Sequence, residues 1–123
     1  AILFYIFTIR ADSVTENSRI TLKNKIVSSG KLKEKPGKAV NHPSFLTLYI
    51  YNGQELMDSM VVGHPLYKRI EYTNEENSFL SQEVKLTEAD FFIRIQADRN
   101  PTKIKVVETL QEKAPRELND IIL

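Results

Sequence analysis

The sequence predicts an all-β protein, a single antiparallel β-sandwich of about seven or eight strands. Three observations carry this. Short runs alternate between apolar and polar residues, the period-two signature of strands with one buried face. Turn-forming residues separate the runs at close intervals, as at Asn52-Gly53, Gly63-His64-Pro65 and Asn100-Pro101. No stretch sustains the 3.6-residue period of a long helix. The chain has 123 residues, 41% hydrophobic and 27% charged, which suits one globular domain.

The first strand covers residues 2–11, with Leu3, Tyr5, Phe7 and Ile9 on one face and Thr8 and Arg10 on the other. Its first half is apolar on both faces, which predicts cover on both. In residues 19–28, Ile20, Leu22 and Ile26 point one way and Arg19, Thr21, Lys23 and Lys25 the other, with Asn24 interrupting the inner row. Residues 34–44 hold Pro36, Gly37 and Pro43 and read as a loop. Residues 45–51 and 54–62 flank Asn52-Gly53, whose tolerance of positive φ predicts a type I′ hairpin. Leu46, Leu48 and Ile50 then face inward, against Leu56, Met60 and Val62.

Residues 66–72 and 79–86 are the next two strands, the second with Leu80, Val84 and Leu86 inward. Residues 87–90 read as one helical turn capped by Thr87. Residues 91–97 place Phe91, Ile93, Ile95 and Ala97 inward and Arg94 outward; residues 103–109 place Ile104 and Val106 inward. Residues 1–110 thus make the sandwich, and 111–123 a tail or linker. A short helix is expected over 115–122, since Pro115 would stand near its first position and Leu118, Ile121 and Ile122 would share a face.

The order of strand, helical turn and strand over residues 84–95 resembles the corner between sheets in immunoglobulin-like and fibronectin-type modules. The resemblance covers most of the chain in architecture. It lacks the immunoglobulin cysteine pair and core tryptophan, because the chain has neither Cys nor Trp.

Candidate chemistry is sparse. Without cysteine there is no disulfide, zinc–thiolate site or thiol nucleophile. No Gly-x-Ser-x-Gly elbow surrounds Ser59, and the four glycines are scattered singly. His42 and His64 each precede proline, which places them at loop junctions; they read as ordinary loop histidines, the alternative being a metal or acid–base pair with Asp58 or Glu55. Neither histidine shows metal-ligand spacing, so no metal and no cofactor are expected. Glu75 and Glu76 read as solvated turn charges.

Two surface features remain. Lys31, Lys33 and Lys35 belong to a basic stretch, residues 19–38, that holds seven bases and one acid, Glu34. It suits an anionic partner, or simply guards a strand edge against aggregation. It has no aromatic to stack bases, which argues against nucleic acid. Tyr49, Tyr51 and Tyr67 lie opposite the apolar rows and are expected outside the core, where they could anchor a protein or glycan.

The longest apolar run, residues 1–7, is too short to span a bilayer. The chain opens on Ala1, as a processed or truncated product would, which favours an exported or cell-envelope protein. The expected function is a non-catalytic interaction or carbohydrate-contacting module, with a structural spacer as the alternative and a small hydrolase third.

Overall fold

The computed structural model describes residues 2–12, 18–30, 43–73, 75–76, 79–96 and 100–123. The strands run β1 (Ile2–Ala11), β2 (Ser18–Ser28), β3 (Phe45–Asn52), β4 (Glu55–Gly63), β5 (Tyr67–Thr73), β6 (Phe79–Lys85), β7 (Glu88–Gln96) and β8 (Lys103–Thr109), then two short ones, β9 (Arg116–Glu117) and β10 (Ile121–Ile122). All pairings are antiparallel. One sheet has the order β2-β1-β7; the other has the order β10-β8-β3-β4, with β9 also on β8.

Side-chain alternation puts the core between these sheets. Leu3, Tyr5, Phe7 and Ile9 of β1 turn inward with Ile93 and Ile95 of β7. They meet Leu46, Leu48 and Ile50 of β3 and Ile104 and Val106 of β8 in one buried cluster, so the fold is the expected all-β sandwich. Each such aliphatic or aromatic side chain gains roughly 1.5–3 kcal/mol on leaving water. β5 and β6 form a separate hairpin, and among the described residues neither is hydrogen-bonded into another sheet, although Tyr67 packs against the core. Its base is fixed where Leu86 N donates to Leu66 O (2.6 Å), with Leu66 in the core. Leu86 packs against that core, whereas Leu80 is exposed, not inward as the alternation suggests.

The β3–β4 hairpin forms with a different turn. Asn52 stays in the ladder opposite Glu55, so Gly53 and Gln54 are the turn residues, and of the residues around the turn only Gly53 has positive φ, at 60°. Positive φ at the first turn position alone is the type II′ pattern, which corrects the type I′ expectation. Asn52 is held by its neighbour: its Nδ2 donates to Asn100 O (2.7 Å), while Gly53 N donates to Thr102 Oγ1 (2.9 Å). A β-bulge absorbs the offset, with Met57 as the extra residue between the pairs Ile50–Asp58 and Tyr51–Leu56. Met60 and Val62 pack on the core as expected, but Leu56 is turned outward and is 51% exposed.

A second bulge acts the same way on β2. Ile6 pairs with Asn24 and Phe7 with Leu22, leaving Lys23 extra. One inserted residue reverses the faces beyond it. Ile20 is buried and Leu22 packs on the core, but Ile26 emerges on the outer face opposite Phe4, 47% exposed.

Neither predicted helical piece forms. Glu88 and Asp90 begin β7 because β1 offers them partners. Arg10 Nη2 pairs with Glu88 Oε1 (3.1 Å), Thr8 Oγ1 donates to Asp90 Oδ1 (2.7 Å), and Ala11 N donates to Thr87 O (2.9 Å). The tail is extended rather than helical. Leu118 N donates to Val106 O (2.9 Å) and Leu123 N to Thr102 O (3.0 Å), so it closes the free edge of β8. Ile121 is buried and Ile122 exposed, alternating as strand residues do. Ala97, expected inward, lies outside the described residues.

Two stability measurements follow. Gly53→Val should cost more than about 1 kcal/mol in urea unfolding, because a β-branched residue resists positive φ, although nothing lies near its added Cβ. Tyr5 Oη is buried without a hydrogen-bond partner among the described residues, an arrangement worth roughly 1–3 kcal/mol against folding. Tyr5→Phe should therefore leave stability unchanged or raise it by about 1 kcal/mol; a clear loss would reveal a partner for the hydroxyl.

Candidate functional site

Glu108 follows Ile104 and Val106 in the inward row of β8 and is only 2% exposed. Its two oxygens are taken by groups from opposite parts of the chain. His64, just past β4, brings Nε2 to 2.7 Å from Glu108 Oε2. Arg116, in β9, donates from Nη2 (2.7 Å) and Nε (3.2 Å) to Glu108 Oε1. The partner of His64 is thus Glu108, not Asp58 or Glu55; Asp58 Oδ1 accepts instead from Ser59 N (2.8 Å).

The protonation pattern follows from the donors. Leu66 N donates to His64 Nδ1 (3.2 Å), so Nδ1 carries the lone pair and Nε2 carries the proton that faces Glu108. Both ring nitrogens are engaged and the imidazole is enclosed, so His64 has no nitrogen turned toward a substrate. The ring also meets Tyr67 edge-on, with centroids 4.8 Å apart. Burial pushes the Glu108 carboxyl up, but the hydrogen bonds from His64 and Arg116 outweigh it and hold the pKa at about 2.

Among the predicted site residues, Tyr49 and Tyr51 come together and Tyr67 does not join them. Tyr67 lines a hollow of about 290 Å³ with Lys85, Lys113 and Arg116, and Lys85 Nζ sits 5.8 Å from its ring centroid. Tyr49 and Tyr51 are half-buried on the outer face of β3, the middle of its sheet. The pairings give that face two rows: Leu56, Tyr51, Lys103 and Ile122 lie side by side across four strands, and Ser59, Tyr49 and Lys105 lie in the row beside them. Ile122 is 73% exposed. Lys103 Nζ lies 5.3 Å from the Tyr51 ring centroid. His42, Lys31, Lys33 and Lys35 lie outside the described residues. Among the described residues no cluster of three His, Asp or Glu side chains could hold a metal ion, and no helix is long and apolar enough to cross a membrane.

Glu108 and Arg116 escaped the sequence reading, although the spacing of Ile104, Val106 and Glu108 was the available signal. Because the folded pKa of Glu108 lies below its ordinary 4.5, its contribution is complete above pH 4.5 and fades as pH falls toward about 2. Glu108→Gln should cost about 1–3 kcal/mol at neutral pH, because the charge-assisted hydrogen bonds from His64 and Arg116 are weakened. That deficit should shrink between pH 4.5 and 2 in denaturant titrations; a constant deficit would show that the carboxylate charge is not what matters.

No family model, no curated protein and no solved structure matches this chain.

Proposed function

We propose that this chain is a non-catalytic contact module that binds a partner protein through the outer face of β4-β3-β8-β10. The observation that carries this is the open row of Leu56, Tyr51, Lys103 and Ile122, with Tyr49 and Lys105 beside it. Tyrosines set beside exposed aliphatic groups, as Tyr51 is beside Leu56, are what interfaces use as anchors. The two lysines add a positive field, so the fitting partner surface is apolar at its centre and acidic at its rim. A protein fits better than a glycan, because the Lys103 ammonium sits over the Tyr51 ring that a sugar would need for stacking. The spacer alternative asked for a tail lying over the tyrosines, whereas the tail pairs along the edge of β8.

The reading includes an immunoglobulin-like architecture, supported by two facing antiparallel sheets and by the pairing of β3 with both β4 and β8. It departs from immunoglobulin order in the first sheet, where the central strand β1 precedes its edge neighbour β2. Modules of this architecture suit an exported or cell-envelope protein, by analogy alone.

The test is affinity capture followed by measurement on the isolated partner. Tyr49→Ala with Tyr51→Ala should weaken binding by about thirtyfold or more, the effect of losing a hot spot of roughly 2 kcal/mol, with the melting temperature preserved. Lys103→Glu should weaken it further as salt is lowered. Binding that ignores the tyrosines, or that vanishes only when Lys31, Lys33 and Lys35 become Glu, would overturn the proposal.

A further inference from the structure

Strand β7 is an edge of the β2-β1-β7 sheet, and among the described residues no strand pairs with its other side. Edge strands are ordinarily kept short, bulged, or interrupted by proline or lysine. β7 has nine residues, an unbroken register with β1, and neither Pro nor Lys. Its outward residues are Glu88, Asp90, Phe92, Arg94 and Gln96, all exposed. Phe92 is 63% exposed and shares an apolar hollow of about 200 Å³ with Phe4, Ile6 and Ile26.

The outward row is complementary to itself when reversed. Laid antiparallel on a copy with the two-fold axis at Phe92, it sets Phe92 against Phe92 of the second copy and Asp90 against Arg94 in both directions. It also sets Glu88 against Gln96. On the inner face, Phe91 meets Ile93 and Ala89 meets Ile95, so apolar residues meet apolar ones. Moving the axis to Asp90 or Arg94 sets like charges together, which disfavours pairing. Moving it to Phe91 sets Asp90 against Phe92, and moving it to Ile93 sets Phe92 against Arg94. A slip that turns one copy over brings outer residues against inner ones. Asp90 already holds Lys23 (2.6 Å) within its own chain, whereas Arg94 has no ion pair among the described residues and is the cation left to find one.

We propose that two copies of this chain pair through β7, related by a two-fold axis at Phe92, to form one continuous six-stranded sheet. The pairing is isologous, so it closes at two copies. It joins the Phe4, Ile6 and Phe92 patches across the seam and removes the open edge.

The absence of cysteine gives a register-specific test. In Phe92→Cys the two introduced thiols would face each other across a strand pair, with Cα atoms about 4.5–5.5 Å apart, within disulfide range. In Arg94→Cys they would lie four residues out of step, about 14 Å apart along the strands, too far to bridge. Under mild oxidation, Phe92→Cys should become a covalent dimer at least about tenfold faster than Arg94→Cys. In sedimentation velocity the unaltered chain should show a concentration-dependent dimer that Arg94→Asp dissociates, with circular dichroism unchanged. Equal cross-linking of the two cysteine variants, or a monomer at every concentration, would overturn the proposal.

Discussion

Side chains two residues apart on a strand share a face, so burying Ile104 and Val106 on β8 commits the chain to burying Glu108 as well. An ionised carboxylate inside a protein must be paired and hydrogen-bonded to be tolerated. Much of the architecture around that end of the core follows from this requirement. His64 has to stand where β4 ends, and its Nδ1 is fixed by the backbone of Leu66, which starts the β5–β6 hairpin. Arg116 has to reach back from the tail, and its placement beside Glu108 is also what pairs β9 with β8. One charge therefore joins β4, the base of the hairpin, β8 and the tail. Removing it would leave the enclosed His64 Nε2 donor without its acceptor and take a charged partner from the half-exposed Arg116, which is why such pairs are costly to break although they add little over an apolar core.

The same period of two explains how much of the fold could be read from the sequence. β1 and β8 have the predicted bounds, and their inner rows are right, because neither alternation is interrupted between long apolar side chains. Where the reading failed on β2 and β4, the cause was a single extra residue. Lys23 and Met57 are each unopposed in their ladders, and beyond each the faces exchange. Ile26 and Leu56 thus became outer residues although their spacing from Ile20 and Met60 suggested the core. A bulge at Lys23 or Met57 leaves no local mark, since neither is a glycine; it is chosen by the register that the partner strand imposes.

Long-range partners account for the other errors. Thr87, Glu88 and Asp90 have the composition of a helix start, yet Arg10 and Thr8 across the sheet draw Glu88 and Asp90 into β7. Residues 115–122 look helical in isolation, but a short isolated helix is marginal and backbone pairing to β8 competes with it. Asn119 adds to that pull: its side-chain oxygen accepts from Ile20 N (2.9 Å) and its amide donates to Ile20 O (2.7 Å). These partners lie up to 99 positions apart, so no local window contains them. Of the candidate surface, the tyrosines were legible because Tyr49 and Tyr51 alternate with Leu48 and Ile50. The lysine and isoleucine that complete their row come from β8 and β10, and only the sheet order reveals them.

The treatment of the edges separates the two proposed contact surfaces. A sheet edge exposes unpaired backbone groups and must be satisfied by something. Among the described residues, the tail covers two of the four edges of the two sheets that enclose the core: β9 and β10 pair with β8, while the Asn119 amide takes the place of a strand beside Ile20 of β2. Of the two that remain, β4 is bent by its Met57 bulge, which locally disrupts its ladder and discourages further pairing. β7 has no such device, and its outward charges are of both signs in an order that reverses onto itself. A row meant to repel would carry one sign. In the proposed reading, the apolar and aromatic groups flanked by lysine on the β3 face suit a foreign partner with an acidic rim, whereas the palindrome of Asp90, Phe92 and Arg94 suits another copy of the same strand. The two surfaces lie on opposite sheets, so occupying one leaves the other open.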